Sequence, residues 1–283
     1  MDGAVTRPSS GLGPGLRDPS TVAAVQEALP EVVVALAAVL TWLGDPALLL
    51  AVVAVHRWLG DRDEGLAVLG AALAATALVV GAKAFFGLPR PPGAVATVAA
   101  DGYGFPSGHA VGATVVWGAL ALAVDHGSRR ARLAAAGVVA AVVAATRVAI
   151  GVHYPVDVAV GVAVGVALLG GYRLIAWGDR RRMAAVAVAL AVAAVLASGG
   201  SRDAFLILGA ALAFAAERRL PGTTADRERW TVPPALAVLG MLWMGARLAP
   251  VAVAPAAGAL LGWWVLSAPG AIGGLRRAAT ARI

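Results

Sequence analysis

Cysteine is absent from the 283-residue chain. That excludes disulfides, thiolate chemistry and cysteine-ligated metals. Charge is scarce as well: Asp, Glu, Lys and Arg make up 14% of the residues, against about 25% in a soluble domain. Ala, Val and Leu fill the gap, so 60% of the chain is hydrophobic and the mean hydropathy is +0.81. This excludes an ordinary soluble enzyme and predicts slim, closely packed membrane helices. A net charge of +7 would suggest nucleic acid on a soluble protein. Here the arginines fall in short clusters between apolar runs, which is a topology signal, and nucleic acid is not expected as a partner. Residues 1–29, rich in Gly, Pro, Ser and charge, lack the apolar core of a signal peptide and read as a loose tail or an interfacial segment. Gly11-Leu-Gly-Pro-Gly15 fails the dinucleotide pattern and follows no strand.

The apolar runs, taken in order, predict an all-α, polytopic bundle of ten spans. Runs over 32–43 and 47–58 are short for the roughly 20 residues a crossing needs, so flanking residues, on the Val22 side for the first, are expected to extend them. Clear runs follow over 66–86, 107–124, 133–150 and 155–177, the last opened by Pro155. After Arg180-Arg181-Arg182 come four more, over 183–197, 204–216, 232–248 and 251–266. Three regions result: a polar tail over 1–29, a six-helix core over 30–178 and a helical membrane extension over 179–283. Gly161-xxx-Gly165 and Gly258-xxx-Gly262 offer smooth faces for close helix packing.

Threading ten spans alternately places 18 Lys and Arg residues, Arg17 among them, on one side and 5 on the other. The rich side is read as cytoplasmic, with both termini on it. The poor side, extracytoplasmic, holds Lys83, Arg90, Arg147, Arg202 and Arg247. Three of these belong to the polar clusters that interrupt the apolar sequence. A cation kept where topology disfavours it invites a functional reading.

Those clusters are Lys83-Ala-Phe-Phe-Gly-Leu-Pro-Arg90-Pro91, Phe105-Pro106-Ser107-Gly108-His109, and Thr146-Arg147 followed by His153-Tyr-Pro-Val-Asp157. Alternation brings all three to one membrane face. Together they suit a phosphate. Lys83 supplies a point charge, and Arg90 and Arg147 supply planar forks for bidentate contact. Ser107-Gly108 at a helix start can present free N–H groups. His153 and Asp157, four apart, are expected one turn apart on one helical face. Asp157 can then hold one imidazole nitrogen protonated and leave the other free to attack phosphorus. His109 can protonate a leaving oxygen.

The clusters resemble the signature of the type 2 phosphatidic acid phosphatase (PAP2) superfamily, whose pocket is shared with vanadium haloperoxidases. That signature is Lys-x6-Arg-Pro, then Pro-Ser-Gly-His, then Ser-Arg-x5-His-x3-Asp. It is met by Lys83/Arg90/Pro91, by Pro106 to His109, and by Arg147/His153/Asp157, with Thr146 in place of the usual Ser. The resemblance spans roughly residues 30–178 and leaves out the last four runs. It implies a six-helix PAP2-like core and a phosphatase that needs no metal or other cofactor. It further implies His153 as nucleophile through a phosphohistidine, and His109 as general acid and later base. Lys83, Arg90, Ser107, Gly108 and Arg147 would hold the phosphate.

The expected function is therefore hydrolysis of a membrane lipid phosphate, of phosphatidate or polyprenyl (undecaprenyl-like) phosphate or diphosphate type. The isoprenoid class is favoured by analogy only. The expected partners are that lipid and the bilayer, with a homo-oligomer left open. A phosphotransferase on the same site, and a non-catalytic transporter or structural membrane protein, stay as alternatives. Metal-dependent lipid transferases would need clustered aspartates, and Asp45, Asp101, Asp157 and Asp203 are scattered. A haloperoxidase would be soluble. The cations could merely sit at helix ends, but that leaves their grouping with two histidines unexplained. His56 and His126, next to basic turns on the other side, read as structural, and Trp263-Trp264 as an interfacial anchor.

Overall fold

The computed structural model describes residues 16–93, 96, 100–217, 232–248 and 250–280, and every regular element among them is helical. The α-helices are α1 (Pro19–Ala28), α2 (Glu31–Leu40), α3 (Pro46–Leu59), α4 (Arg62–Phe86), α5 (Gly108–Ala123), α6 (Arg129–Ala149), α7 (Pro155–Ile175), α8 (Arg180–Ala197), α9 (Arg202–Ala216), α10 (Val232–Leu248) and α11 (Ala254–Thr280). Short polar residues set many of the starts by satisfying first-turn N–H groups. Asp45 accepts from Ala47 N at 2.8 Å and Asp61 from Asp63 N and Glu64 N, while Asp179 and Ser201 cap α8 and α9. Gly87, at φ 60°, ends α4 in the left-handed conformation that a side chain would strain.

This is a multi-pass membrane protein. Four helical stretches are long and apolar enough to cross a bilayer: Asp63–Phe86, Arg129–Ala149, Pro155–Ile175 and Val251–Ala268. The ten spans read from the apolar runs are thus not all met by length. α3, α5 and Leu236–Leu248 are apolar but shorter. α8 spends its first turn on three arginines, and α9 has 15 residues.

The first run departs most from expectation. Residues on the Val22 side do not extend it as a straight helix: α1 and the stretch Glu31–Gly44 meet at 113°, and only taken together as a bent pair are they long and apolar enough for a fifth crossing. Pro30 lacks an N–H and forces Leu29 into extended backbone, φ −95° and ψ 131°. Nor is the segment before residue 29 a loose tail from Asp18 onward. Asp18 caps α1, Val22 is fully buried, and Gln26 Nε2 donates to the Ala149 carbonyl at the end of α6.

α4 is the central helix. Its small side chains, among them Ala67, Ala71, Ala74 and Ala77, are buried against α3, α5, α8 and α9. Both glycine faces are packing faces. A Cβ on Gly161 would stand 2.9 Å from the Ser107 carbonyl and one on Gly165 2.7 Å from Thr114 Cβ, so α7 lies directly on α5. On α11, a Cβ at Gly258 would stand 1.8 Å from the Leu206 carbonyl of α9. At the far end, Arg57 and Arg180 both pair with the buried Glu217, and Trp58 Nε1 donates to the Val265 carbonyl at 2.7 Å. The helices after Arg180 are therefore tied into the same bundle as α3 and α4.

Candidate active site

Alternation places the C-terminal ends of α4 and α6 beside the N-terminal ends of α5 and α7. Lys83 lies in the last turn of α4 and Arg147 in the last turn of α6. Ser107 is the N-cap of α5, His109 lies in its first turn, and Asp157 lies in the first turn of α7. The loop after Gly87 is drawn back over this end by Gly104 N, which donates to the Leu88 carbonyl at 2.8 Å. Arg90 in that loop donates from Nε to the Asp101 carbonyl and from Nη1 to the Val152 carbonyl, both at 3.1 Å. All eight residues singled out in the sequence thus gather at one end of the bundle.

The histidine and its carboxylate do not share a helical face. His153 precedes the helix: Tyr154, extended at φ −74° and ψ 153°, is the N-cap and Pro155 the first helical residue. A residue before proline is pushed out of helical backbone. The pair meets by a different route. Asp157, at the third helical position, accepts the Tyr154 N–H on Oδ2 at 3.1 Å, and the same oxygen faces His153 Nδ1 at 3.4 Å. Asp157 is held further by its own carbonyl, which accepts from Ser107 N at 3.0 Å.

The tautomer follows from the opposite side of the ring. Arg90 Nη1 lies 3.0 Å from His153 Nε2. A guanidinium can only donate, so Nε2 carries the lone pair and Nδ1 the proton that points at Asp157. The imidazole is 1% exposed. Burial first, then the charges of Arg90, Arg147, Lys83 and His109, holds it well below its ordinary pKa. His153 is thus a neutral base whose Nε2 lone pair faces Arg90, with the charges of Arg147 and Lys83 acting on the same ring.

Among the described residues, three buried polar atoms at this end have no hydrogen-bond partner: Ser107 Oγ and Arg147 Nε within the clusters, and Arg202 Nε at the start of α9. Arg147 uses Nη1 on Thr41 Oγ1, 2.8 Å away in the short turn after α2. Lys83 Nζ comes within 4.0 Å of where a Cβ on Gly108 would stand, so that glycine keeps the helix start open beside the ammonium. Thr146 retains the hydroxyl of the usual Ser, but its Oγ1 donates to the Val143 carbonyl at 2.7 Å within its own helix.

Residues 64–181 match the family model described as the PAP2 superfamily. That stretch, less than half of the chain, is similar to the PAP2 superfamily. No curated protein and no solved structure matches it. PAP2 is in general a superfamily of phosphatases, and all three clusters, Lys83 to Asp157, lie within the matched stretch. The helices after Arg181 lie outside it, as does Arg17, a site contact that the sequence reading missed. Arg17 donates to the Asp157 carboxylate from Nη1 and to the Pro89 carbonyl from Nη2. It therefore belongs with the site end, and moving it leaves 17 basic residues opposite 6 in the side-by-side tally, with Arg7 outside the described residues. The bias survives. The assignment of Arg17 to the far side does not.

Proposed function

We propose that this protein is a membrane phosphatase that removes a phosphate from a lipid through a phosphohistidine on His153. The observation that carries the reading is the state of His153: neutral, its Nδ1–H turned to Asp157 and its Nε2 lone pair met by Arg90. A merely structural histidine has no need of a carboxylate on one ring nitrogen and an arginine on the other.

The steps then follow. A lipid phosphate enters with its tail in the bilayer and its head against Arg90, Arg147 and Lys83. Arg90 transfers its donors from Nε2 to phosphate oxygens. Ser107 Oγ and Arg147 Nε, without partners at rest, gain them. Nε2 attacks phosphorus, the bond to the leaving oxygen breaks, and His109, protonated together with the incoming anionic phosphate, gives that oxygen its proton. The charge spread over the equatorial oxygens is met by preorganised cations. Asp157 stabilises the imidazolium character that develops on His153. His109, now a base, takes a proton from water. The hydroxide attacks phosphorus, the P–N bond breaks, and inorganic phosphate leaves.

The embedding supports a lipid substrate: the site sits at the ends of apolar helices, where a headgroup would meet the membrane surface. Polyprenyl phosphates and diphosphates and phosphatidate-type lipids have that form. The test is phosphate release by purified protein in detergent with EDTA, from polyprenyl diphosphate, polyprenyl phosphate, phosphatidate and lysophosphatidate. Release by wild type and its loss in His153→Ala and in His109→Ala is expected, and the order of the lipids names the class. Folded protein silent on all four overturns the reading and favours a transferase or a non-catalytic membrane role.

A further inference from the structure

Arg17 comes from outside every cluster and outside the PAP2 match, yet one guanidinium touches all three clusters. Nη2 donates to the Pro89 carbonyl of the first. The guanidinium carbon lies 5.9 Å from the centroid of Phe105 in the second and 4.7 Å over that of Tyr154 in the third. Nη1 donates to Asp157 Oδ1. The delivery is built: Asp18 caps α1 immediately after Arg17, and α1 packs on the end of α6.

The placement sorts the possible roles. Arg17 binds the carboxylate on the Nδ1 side of His153, whereas Arg90 stands at Nε2, the side a phosphate must reach. The Asp157 side chain is fully buried. A buried carboxylate is costly without a partner charge, and Arg17 is the cation in direct contact. Its hold on Oδ1 leaves Oδ2 with the Tyr154 N–H and facing His153. Without Arg17 the carboxylate keeps one backbone N–H and is free to turn from the ring.

We propose that Arg17 is a positioning residue: it holds Asp157 so that Oδ2 keeps His153 in its Nδ1–H form with Nε2 open to phosphorus. This rests on the phosphatase reading above, and it extends the working site to a residue just ahead of α1, before the stretch that matches PAP2. Arg17 acts through Asp157 and does not touch the substrate.

The experiment compares wild type, Arg17→Ala, Arg17→Lys, Asp157→Asn and Arg17→Ala/Asp157→Asn for kcat and KM. Beside it, 15N NMR of histidine-labelled protein reads the His153 Nδ1–H that faces Asp157, assigned with His153→Ala among the four histidines. Arg17→Ala is expected to lower kcat about 10- to 100-fold, less than the roughly 10⁴-fold cost of disabling an orienting carboxylate. Its KM should stay within about threefold, since only transition-state interactions are lost. Arg17→Lys should recover part of the rate. In the Asp157→Asn background the same change should cost less than about threefold, because both act along one path. Because Arg90 still donates to Nε2, the tautomer itself is not the readout; the His153 Nδ1–H signal should move and exchange faster in Arg17→Ala as its carboxylate acceptor is released.

A raised KM with unchanged kcat would make Arg17 a substrate ligand and overturn the proposal. A raised kcat would make it a plug, and additive losses would make it independent of Asp157; either overturns it. If wild type releases no phosphate, the phosphatase reading fails, and the Nδ1–H signal alone decides the link between Arg17 and His153. A shifted, faster-exchanging Nδ1–H in Arg17→Ala still supports that link, and an unchanged one removes it.

Discussion

Arg90 Nη1 stands 3.0 Å from His153 Nε2, the nitrogen that the proposed reaction uses. The same guanidinium is anchored to the carbonyls of Asp101 and Val152, so it guards the lone pair at rest and is already placed to receive a phosphate. Arg90→Ala removes both functions. We expect a fall of about 10²- to 10³-fold in kcat/KM, the scale for one preorganised donor to a transition-state oxyanion. Arg90→Lys should recover little, since a point charge cannot reproduce the fork. Steady-state phosphate release from micelles checks this.

The acidity of His153 sets the pH profile. Burial and its cation neighbours lower its pKa well below the ordinary 6.5, and protonation would occupy the attacking nitrogen. Activity must therefore rise as pH climbs through that depressed value, so the acid limb of kcat/KM is expected below pH 6.5. The same shift bears on stability: with the folded-state value depressed, stability is held above the unfolded value near 6.5 and is lost as pH falls below it. A kcat/KM profile from pH 4 to 8, with detergent melting curves alongside, checks both. An acid limb centred above pH 6.5 would contradict the assignment.

The three clusters were legible because each has a rigid internal spacing and because alternation of helices forces successive loops to one membrane face. Pro155 as a helix opener was legible for the same local reason. What could not be read was non-local or hinged on one backbone angle. Arg17 meets a carboxylate 140 residues away, and nothing near it in the chain announces that. The bend at Pro30 turned an expected span into two short helices. The His153–Asp157 spacing suggested a helical turn, yet Pro155 keeps His153 outside the helix, and the pair is joined through the Tyr154 cap instead. Thr146 kept its hydroxyl but directs it into its own helix.

The helices after Arg180 carry no motif, but their packing makes a firm prediction. Gly209 and Gly258 let α9 and α11 meet backbone to backbone, with built Cβ atoms 1.8 Å from the Pro255 and Leu206 carbonyls. Gly258→Ala should cost about 1–3 kcal/mol, the scale of overpacking in a closely packed interior. Gly137→Ala on α6, where a Cβ meets nothing within 4 Å, should not lower stability. Thermal unfolding in detergent distinguishes the two.

The absence of cysteine makes orientation directly measurable. Tyr103 at the site end is 43% exposed, and His126, between α5 and α6, is exposed at the opposite end. With the arginine-rich end in the cytoplasm, Tyr103→Cys should react with an impermeant maleimide on intact cells and His126→Cys only after lysis. The reverse pattern would place the site on the cytoplasmic face.

The central claim is that His153 becomes phosphorylated. Wild-type protein is mixed with a lipid phosphate labelled at the transferred phosphorus, quenched within milliseconds under alkaline conditions, digested and sequenced by mass. The account predicts one acid-labile, base-stable phosphopeptide carrying the label on His153. It predicts a transient phosphopeptide that clears with turnover in wild type and is absent in His153→Ala. Turnover without a phosphoenzyme, or label on another side chain, would contradict it.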